Sequence, residues 1–316
     1  MKIVILDWDT MTSGGDISPE KFSLLGDVTV YGLTSPEQTA ERIADADAVL
    51  CNKVLITGEI MDKCPNLKYI GLFATGFNNI DVDAAAARNI TVCNSGRYST
   101  NAVAQQVFAY ILDHYSRIRQ YDDAVRRDEW TSSPTFSYFP FPTGEIAGKT
   151  IAIVGYGSIG SRVAQLASAF GMKVLVCTRT YHDDLPYEQT DLMSAASRAD
   201  ILTVHCPLTA ETKGLADARL FSVMKSSAVF INTSRGPVVN ENDLAFALRS
   251  GSIAAAYTDV LSSEPMPEDH PLKGIDNCII TPHTAWAAYE TRVRLNSIVY
   301  DCLEAWSKGS PINKVN

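Results

Sequence analysis

Apolar residues along this chain fall in short, mostly β-branched runs separated by stretches with helical spacing, and the two alternate over nearly its whole length. Runs at residues 2–6, 28–31, 48–51, 69–73 and 91–93 predict strands, and residues 36–43 and 82–88 predict helices between them. Such alternation implies a parallel α/β sheet. After Asn94-Ser-Gly-Arg-Tyr-Ser99 a long helix is expected, capped by Ser99 or Thr100. Its apolar face would carry Val103, Val107, Phe108, Ile111, Leu112, Tyr115 and Ile118. Residues 130–148 show no period. Their Phe136, Tyr138, Phe139 and Phe141 are too many rings to leave in water, so this segment is expected against a partner subunit or another domain. Strand and helix alternate again from residue 150 to about 282. A last helix is predicted at 285–307 through Val293, Leu295, Ile298, Val299, Cys302, Leu303 and Trp306.

The second stretch opens on Thr150-Ile-Ala-Ile-Val-Gly155-Tyr-Gly157-Ser-Ile-Gly160, an apolar strand running into three glycines. Gly155 permits a tight turn, Gly157 lets the backbone approach a pyrophosphate, and Gly160 lets the next helix pack close to the strand. The helix pattern at 162–170 (Val163, Leu166, Ala167, Phe170) and the strand pattern at 173–178 supply the context that a bare glycine spacing lacks. The expected fold is therefore α/β, with two Rossmann-like doubly wound parallel-sheet domains. Residues 100–284 would form a dinucleotide-binding domain, inserted in a substrate domain made of residues 1–99 and 285–316.

Composition narrows the partners. A length of 316 residues suits two cores, and 46% apolar content is that of a globular protein. A net charge of −9 argues against nucleic acid or an anionic membrane as partner, but a local Arg or Lys still suffices for an anionic substrate. The 7 cysteines are scattered without a CxxC pair, which suggests reduced thiols in a cytoplasmic protein and no metal site. The N-terminal apolar run is too short for a signal peptide or a membrane span.

Three strand-like runs in the second stretch end in polar residues. Residues 228–231 lead to Asn232-Thr-Ser-Arg235-Gly-Pro, 253–257 lead to Asp259 and Ser262-Ser-Glu264-Pro, and 278–280 lead to Thr281-Pro-His283. Ligands of open parallel sheets lie beyond the carboxyl ends of the strands, so Arg235, Glu264 and His283 are expected to converge. Arg235 would fork onto a carboxylate. His283 would protonate a carbonyl oxygen as hydride reaches the carbon, and Glu264 would hold the imidazole. Read singly, each has a plainer role: a turn before Gly-Pro, a solvated carboxylate, a helix cap.

In order, Gly155-x-Gly157-x-x-Gly160, Asn232-Thr-Ser-Arg235-Gly-Pro-Val-Val, Asp259-Val-Leu-Ser-Ser-Glu264-Pro and Thr281-Pro-His283 resemble the motifs of the D-2-hydroxyacid dehydrogenases over almost the whole chain. The resemblance implies that Arg235 binds the substrate carboxylate and carbonyl, that His283 is the acid/base and that Glu264 is its partner. It also implies cofactor contacts at Ser158, Ile159, Cys206, Thr233 and Asp259, the last near the nicotinamide amide. The backbone N–H groups of Thr75 and Gly76, in Phe73-Ala-Thr-Gly76, would hold the substrate carboxylate. Segments 67–76, 128–130 and 282–286 are most similar to glycerate dehydrogenases, also called hydroxypyruvate reductases. Trp286 would narrow the pocket to short acids or, as readily, pack in a core or interface. Lys53 would meet the substrate or solvent. By analogy with the family the protein would be a homodimer and its product the D-2-hydroxy acid. A coenzyme-binding corepressor, or a phosphoglycerate, phosphite or formate oxidoreductase, are alternatives within the same resemblance.

The chain departs from the NAD-binding pattern at one place. Where an acidic residue would hold the adenine ribose, Cys177-Thr178-Arg179-Thr180 has no carboxylate until Asp183. Thr178 fills that slot, and Arg179 would bind a 2′-phosphate. NADP(H) is therefore expected over NAD(H), with both accepted if Arg179 points only into solvent.

Overall fold

The computed structural model describes residues 1–316. The chain divides into two compact units, Met1–Ser99 with Ala287–Asn316, and Thr100–Trp286. In the first, β1 (Lys2–Ile5), β2 (Asp27–Val30), α1 (Pro36–Ile43), β3 (Ala48–Cys51), α2 (Gly58–Asp62), β4 (Tyr69–Leu72), α3 (Val82–Ala87) and β5 (Thr91–Cys93) follow one another. The five strands form a parallel sheet in the order β2-β1-β3-β4-β5. Its helices start where a side chain can take an orphan amide: Ser35 and Gln38 form a capping box, and Thr57 and Asp81 accept from Ile60 and Ala84. At the order reversal between β1 and β3, the buried Asp7 carboxylate accepts the N–H groups of Asn52 (2.8 Å), Lys53 (2.6 Å) and Val54 (3.3 Å). Burial pushes this carboxyl up, while those amides pull it down.

The second unit contains α4 (Thr100–Ser116), α5 (Ile118–Arg126), β6 (Thr150–Val154), α6 (Ser158–Ala169), β7 (Lys173–Cys177), β8 (Glu188–Gln189), α7 (Leu192–Arg198), β9 (Ile201–Val204), α8 (Ala218–Val223), β10 (Val229–Asn232), α9 (Glu241–Arg249), β11 (Ala255–Thr258) and β12 (Cys278–Ile280). Its seven strands, all parallel, lie in the order β12-β11-β10-β9-β6-β7-β8. Both sheet faces are covered, so the pleat sends alternate residues of one strand into different layers. Ala152 and Val154 of β6 join one apolar cluster, Ile151 and Ile153 the other. The order reverses between β6 and β9, where a doubly wound sheet opens a ligand crevice.

Several expectations need correcting. The long helix stops at Ser116, because Arg117 takes a left-handed conformation (φ +53°); Ile118 therefore leaves the apolar stripe and is 69% exposed. The helix after the glycine turn begins at Ser158 rather than 162. The last helix, α10 (Tyr289–Ser307), starts four residues later than expected, and its Val293 faces outward at 40% exposure. Residues 130–148 have no helix or strand; Phe136 and Phe139 stand exposed, and Tyr138 and Phe141 are half-buried.

Helix α10 is tied to the first unit by Arg292, whose guanidinium forks onto Asp16 at 2.9 and 2.7 Å and also donates to the Met11 carbonyl. The Arg292 guanidinium holds the Asp16 carboxyl well below the usual carboxylate range. A lowered folded-state pKa stabilises the fold above the unfolded value of about 3.9, and that contribution fades as pH falls below it. Asp16→Asn is thus expected to lower Tm clearly at pH 7 and by less at pH 3. Thermal unfolding followed by circular dichroism at both values decides it, and an equal difference at the two would exclude this pairing as the cause. No helix is long and apolar enough to cross a membrane.

Candidate functional site

The glycine turn sits at the crevice of the second sheet. Gly155 has φ +94°, and a Cβ there would come within 2.8 Å of the Cys206 nitrogen, so only glycine lets β6 turn against the end of β9. A Cβ at Gly160 would meet the Gly155 carbonyl oxygen at 2.1 Å, which fixes the close packing of α6 on the turn. At Gly157, the N-cap of α6, a Cβ would meet no protein atom within 4 Å. The helix thus presents its first amides, at Ser158 and Ile159, to open space, as an anion site requires. Two buried polar atoms on the neighbouring strand ends, His205 Nδ1 after β9 and Thr233 Oγ1 after β10, have no protein partner. Burial drives the His205 imidazole down to about 3, so it is neutral, with Nε2 2.9 Å from Thr203 Oγ1. A spent glycine turn and unsatisfied polar atoms along one crevice fit a dinucleotide.

Beyond the end of β7 lies a cavity of about 390 Å³ lined by Tyr156 of the glycine turn and Tyr181, His182, Asp183, Asp184 and Leu185. Thr178 is half-buried and gives its hydroxyl to the Thr180 carbonyl, whereas Arg179 is exposed and its charge reaches Glu211. Cys206 is half-buried, and burial pushes its thiol up, away from reactivity.

The polar residues after β10, β11 and β12 gather at the same carboxyl edge. Gly236 allows this approach: a Cβ there would lie 1.9 Å from the Leu261 carbonyl carbon and 2.2 Å from the Ser262 nitrogen. The turn carrying Arg235 therefore packs directly on the loop that carries Glu264. Arg235 is half-buried, with Nη1 donating to the Ser234 carbonyl at 2.7 Å. His283 Nδ1 lies 2.7 Å from Glu264 Oε2, and Glu264 Oε1 accepts the Leu261 N–H at 2.9 Å. A carboxylate only accepts, so Nδ1 carries the proton and Nε2 is directed to the other side of the ring.

His283 holds a left-handed backbone (φ +55°), uncommon for any residue but glycine. Asp259 accounts for it. Its carbonyl accepts the His283 N–H at 2.8 Å, and its buried carboxylate accepts the N–H groups of Thr284 and Ala285, each at 2.9 Å, and the Thr281 hydroxyl. Burial pushes the Asp259 carboxyl up against the pull of these donors. Sequence reasoning did not single out Gly236 or His205. His205 was legible in principle, since it ends a strand run as Arg235 and His283 do.

Thr75 and Gly76 lie after β4 in the first unit. The Thr75 hydroxyl donates to the Gly96 carbonyl, and its own carbonyl accepts Asn94 Nδ2 at 2.7 Å, which fixes that turn. Trp286 is half-buried, and Lys53 is exposed beside the Asp7 turn. No group of three or more His, Cys, Asp or Glu side chains is placed to hold a metal ion.

Known proteins resemble this chain over its whole length. Residues 108–285 match the model of the D-isomer specific 2-hydroxyacid dehydrogenase NAD-binding domain. The chain is 39% identical over 322 aligned positions to a hydroxypyruvate reductase of Blautia hydrogenotrophica, covering 100% of both. It is 37% identical to a glycerate dehydrogenase of Methylorubrum extorquens, covering 99% of this chain and 98% of the relative. The crystal structure of an NADPH-dependent glyoxylate/hydroxypyruvate reductase from Sinorhizobium meliloti, in complex with NADP and malonate, superposes with a TM-score of 0.84 at 28% identity, covering 99% of this chain and 96% of that one. With a nicotinamide-dinucleotide domain matched over more than half its length and relatives alike from end to end, this chain belongs to the D-isomer specific 2-hydroxyacid dehydrogenase family.

Proposed function

We propose that the protein reduces a short 2-oxo acid, hydroxypyruvate or glyoxylate, to the D-2-hydroxy acid with NADPH. The observation that carries this reading is the His283–Glu264 pair, with Nδ1 protonated towards Glu264, at the same sheet edge as the glycine turn. Gly155, Gly157, Ser158, Ile159, Gly160, Cys206, Thr233 and Asp259 would line the coenzyme, which supplies a hydride to the carbonyl carbon when bound. His283 gives its Nε2 proton to the carbonyl oxygen, so the C=O becomes CH–OH. Glu264 keeps the imidazole oriented through Nδ1 while the proton leaves. Arg235 holds the carboxylate and aligns the carbonyl. The half-buried Trp286 either narrows this space to short acids or packs in a core or interface. Phe136 and Phe139 belong, on the same reading, against a second copy of the chain, and the free cysteines suit the cytoplasm.

Coenzyme preference turns on residues after β7. An acidic group would repel a 2′-phosphate, and Thr178 is neutral. Arg179 offers a charge-assisted hydrogen bond worth roughly 1.5–3 kcal/mol, or about ten- to a hundredfold in affinity. Asp183 and Asp184 line the neighbouring cavity and oppose it, so the preference rests on Arg179 alone. The test is loss of reduced-nicotinamide absorbance with hydroxypyruvate, glyoxylate or pyruvate, using NADPH and then NADH. Fast oxidation of NADPH is expected with the first two acids, and Arg179→Ala should weaken NADPH about ten- to a hundredfold while sparing NADH. Oxidation with NADH alone would remove Arg179 from the site. Coenzyme binding without turnover of any oxo acid would overturn the reductase reading.

A further inference from the structure

His283 is held by more than its partner Glu264. The Thr281 hydroxyl bonds to both Asp259 Oδ1 and the Tyr110 hydroxyl. An ionised carboxylate can only accept, so the single Thr281 proton goes to Asp259, and Thr281 must accept the proton of Tyr110. The chain of donors thus runs one way, from helix α4 through Tyr110 and Thr281 into Asp259, and each link polarises the next. Asp259 is 2% exposed and Tyr110 4%, so neither end is exchanged for water. The Tyr110 ring lies 5.1 Å from that of Tyr257 on β11, whose hydroxyl donates to Asp113 Oδ2 on α4 at 2.8 Å. Helix α4 is therefore anchored at two successive turns to the strands that carry the catalytic loops.

Every backbone amide of residues 283–285 donates to Asp259. These bonds, with the Thr281 carbonyl that also accepts the His283 N–H at 3.0 Å, hold the left-handed turn at His283. Helix α4 contributes no residue to the chemistry described above, yet its Tyr110 is the far end of this clamp.

We propose that Tyr110 and Thr281 are positioning residues for the general acid: through Asp259 they fix the loop that aims His283 Nε2. This rests on the reading of His283 as the acid. Loosening the clamp leaves the glycine turn and Arg235 untouched and misplaces the proton donor, so turnover falls while KM for the oxo acid does not rise.

The test uses the full-length protein with Tyr110→Phe, Thr281→Val and Thr281→Ser, measured in two ways. Steady-state reduction of hydroxypyruvate separates kcat from KM. Amide hydrogen exchange of the coenzyme-free protein reads residues 283–285 directly. Tyr110→Phe is expected to lower kcat about three- to tenfold. Thr281→Val should lower it about ten- to a hundredfold. In both, KM should stay within about twofold, and amides 283–285 should exchange faster. Thr281→Ser keeps the hydroxyl and should restore kcat and protection. Unchanged kcat and protection in both Tyr110→Phe and Thr281→Val would overturn the proposal, as would failure of Thr281→Ser to restore them. Faster exchange in a protein whose wild type reduces no oxo acid would support the clamp and reject only the assigned reaction.

Discussion

His283→Ala is expected to lower kcat by about two to four orders of magnitude, the usual span for a lost general acid, while coenzyme affinity stays unchanged. The reduction needs one proton at the carbonyl oxygen. Among the residues gathered at this edge, His283 has one nitrogen engaged with Glu264 and the other available to substrate. Alanine carries a second effect, because His283 sits at φ +55° and a side chain other than Asn or Asp is strained there. His283→Asn separates the two causes: it tolerates the left-handed turn and cannot act as an acid near neutral pH. Both variants should be equally slow. If His283→Asn kept turnover and only His283→Ala lost it, the loop conformation and not the imidazole would be what matters. Titrating the bound coenzyme by fluorescence checks that neither variant has lost the dinucleotide site.

Arg235→Ala should raise KM for the oxo acid by about a hundredfold or more, since two charge-assisted hydrogen bonds, each worth roughly 1.5–3 kcal/mol, vanish together. The Arg235 backbone is extended (φ −146°, ψ 140°), so alanine introduces no strain of the kind that complicates His283. The coenzyme Kd should not move. Arg235→Lys keeps the charge without the fork and should recover only part of the loss. A KM unchanged in Arg235→Ala would place the carboxylate elsewhere.

The strands were largely readable from the chain because parallel strands buried on both faces are nearly continuous apolar runs. Residues 48–51, 91–93 and 278–280 appear in the structure with the expected limits. Helix limits were less legible. At Arg117 the apolar spacing continues into Ile118, but the backbone has already left the helix, and no side-chain pattern marks a positive φ at an arginine. The start of α10 was misplaced for a related reason: Thr284 and Ala285 have helix-compatible side chains, yet their amides are committed to Asp259. That use of Asp259 is long-range, spanning 25 and 26 positions, and periodicity carries no information about it.

By itself, the sequence determined the α/β class and the glycine turn with its strand and helix, and it marked Arg235, Glu264 and His283 as candidates at strand ends. These depend on side-chain periodicity and on residue types that chemistry demands at strand ends. Only the tertiary structure decided which strands are neighbours, and so that β9 rather than β7 flanks the crevice on the side of His205. It also decided that Gly236 must be glycine for β10 and β11 to bring their loops together, and that Tyr110 and Thr281 reach the His283 loop 171 positions apart. Backbone approach and buried hydrogen bonds of this kind are set by packing between distant segments, and local residue preference leaves them open.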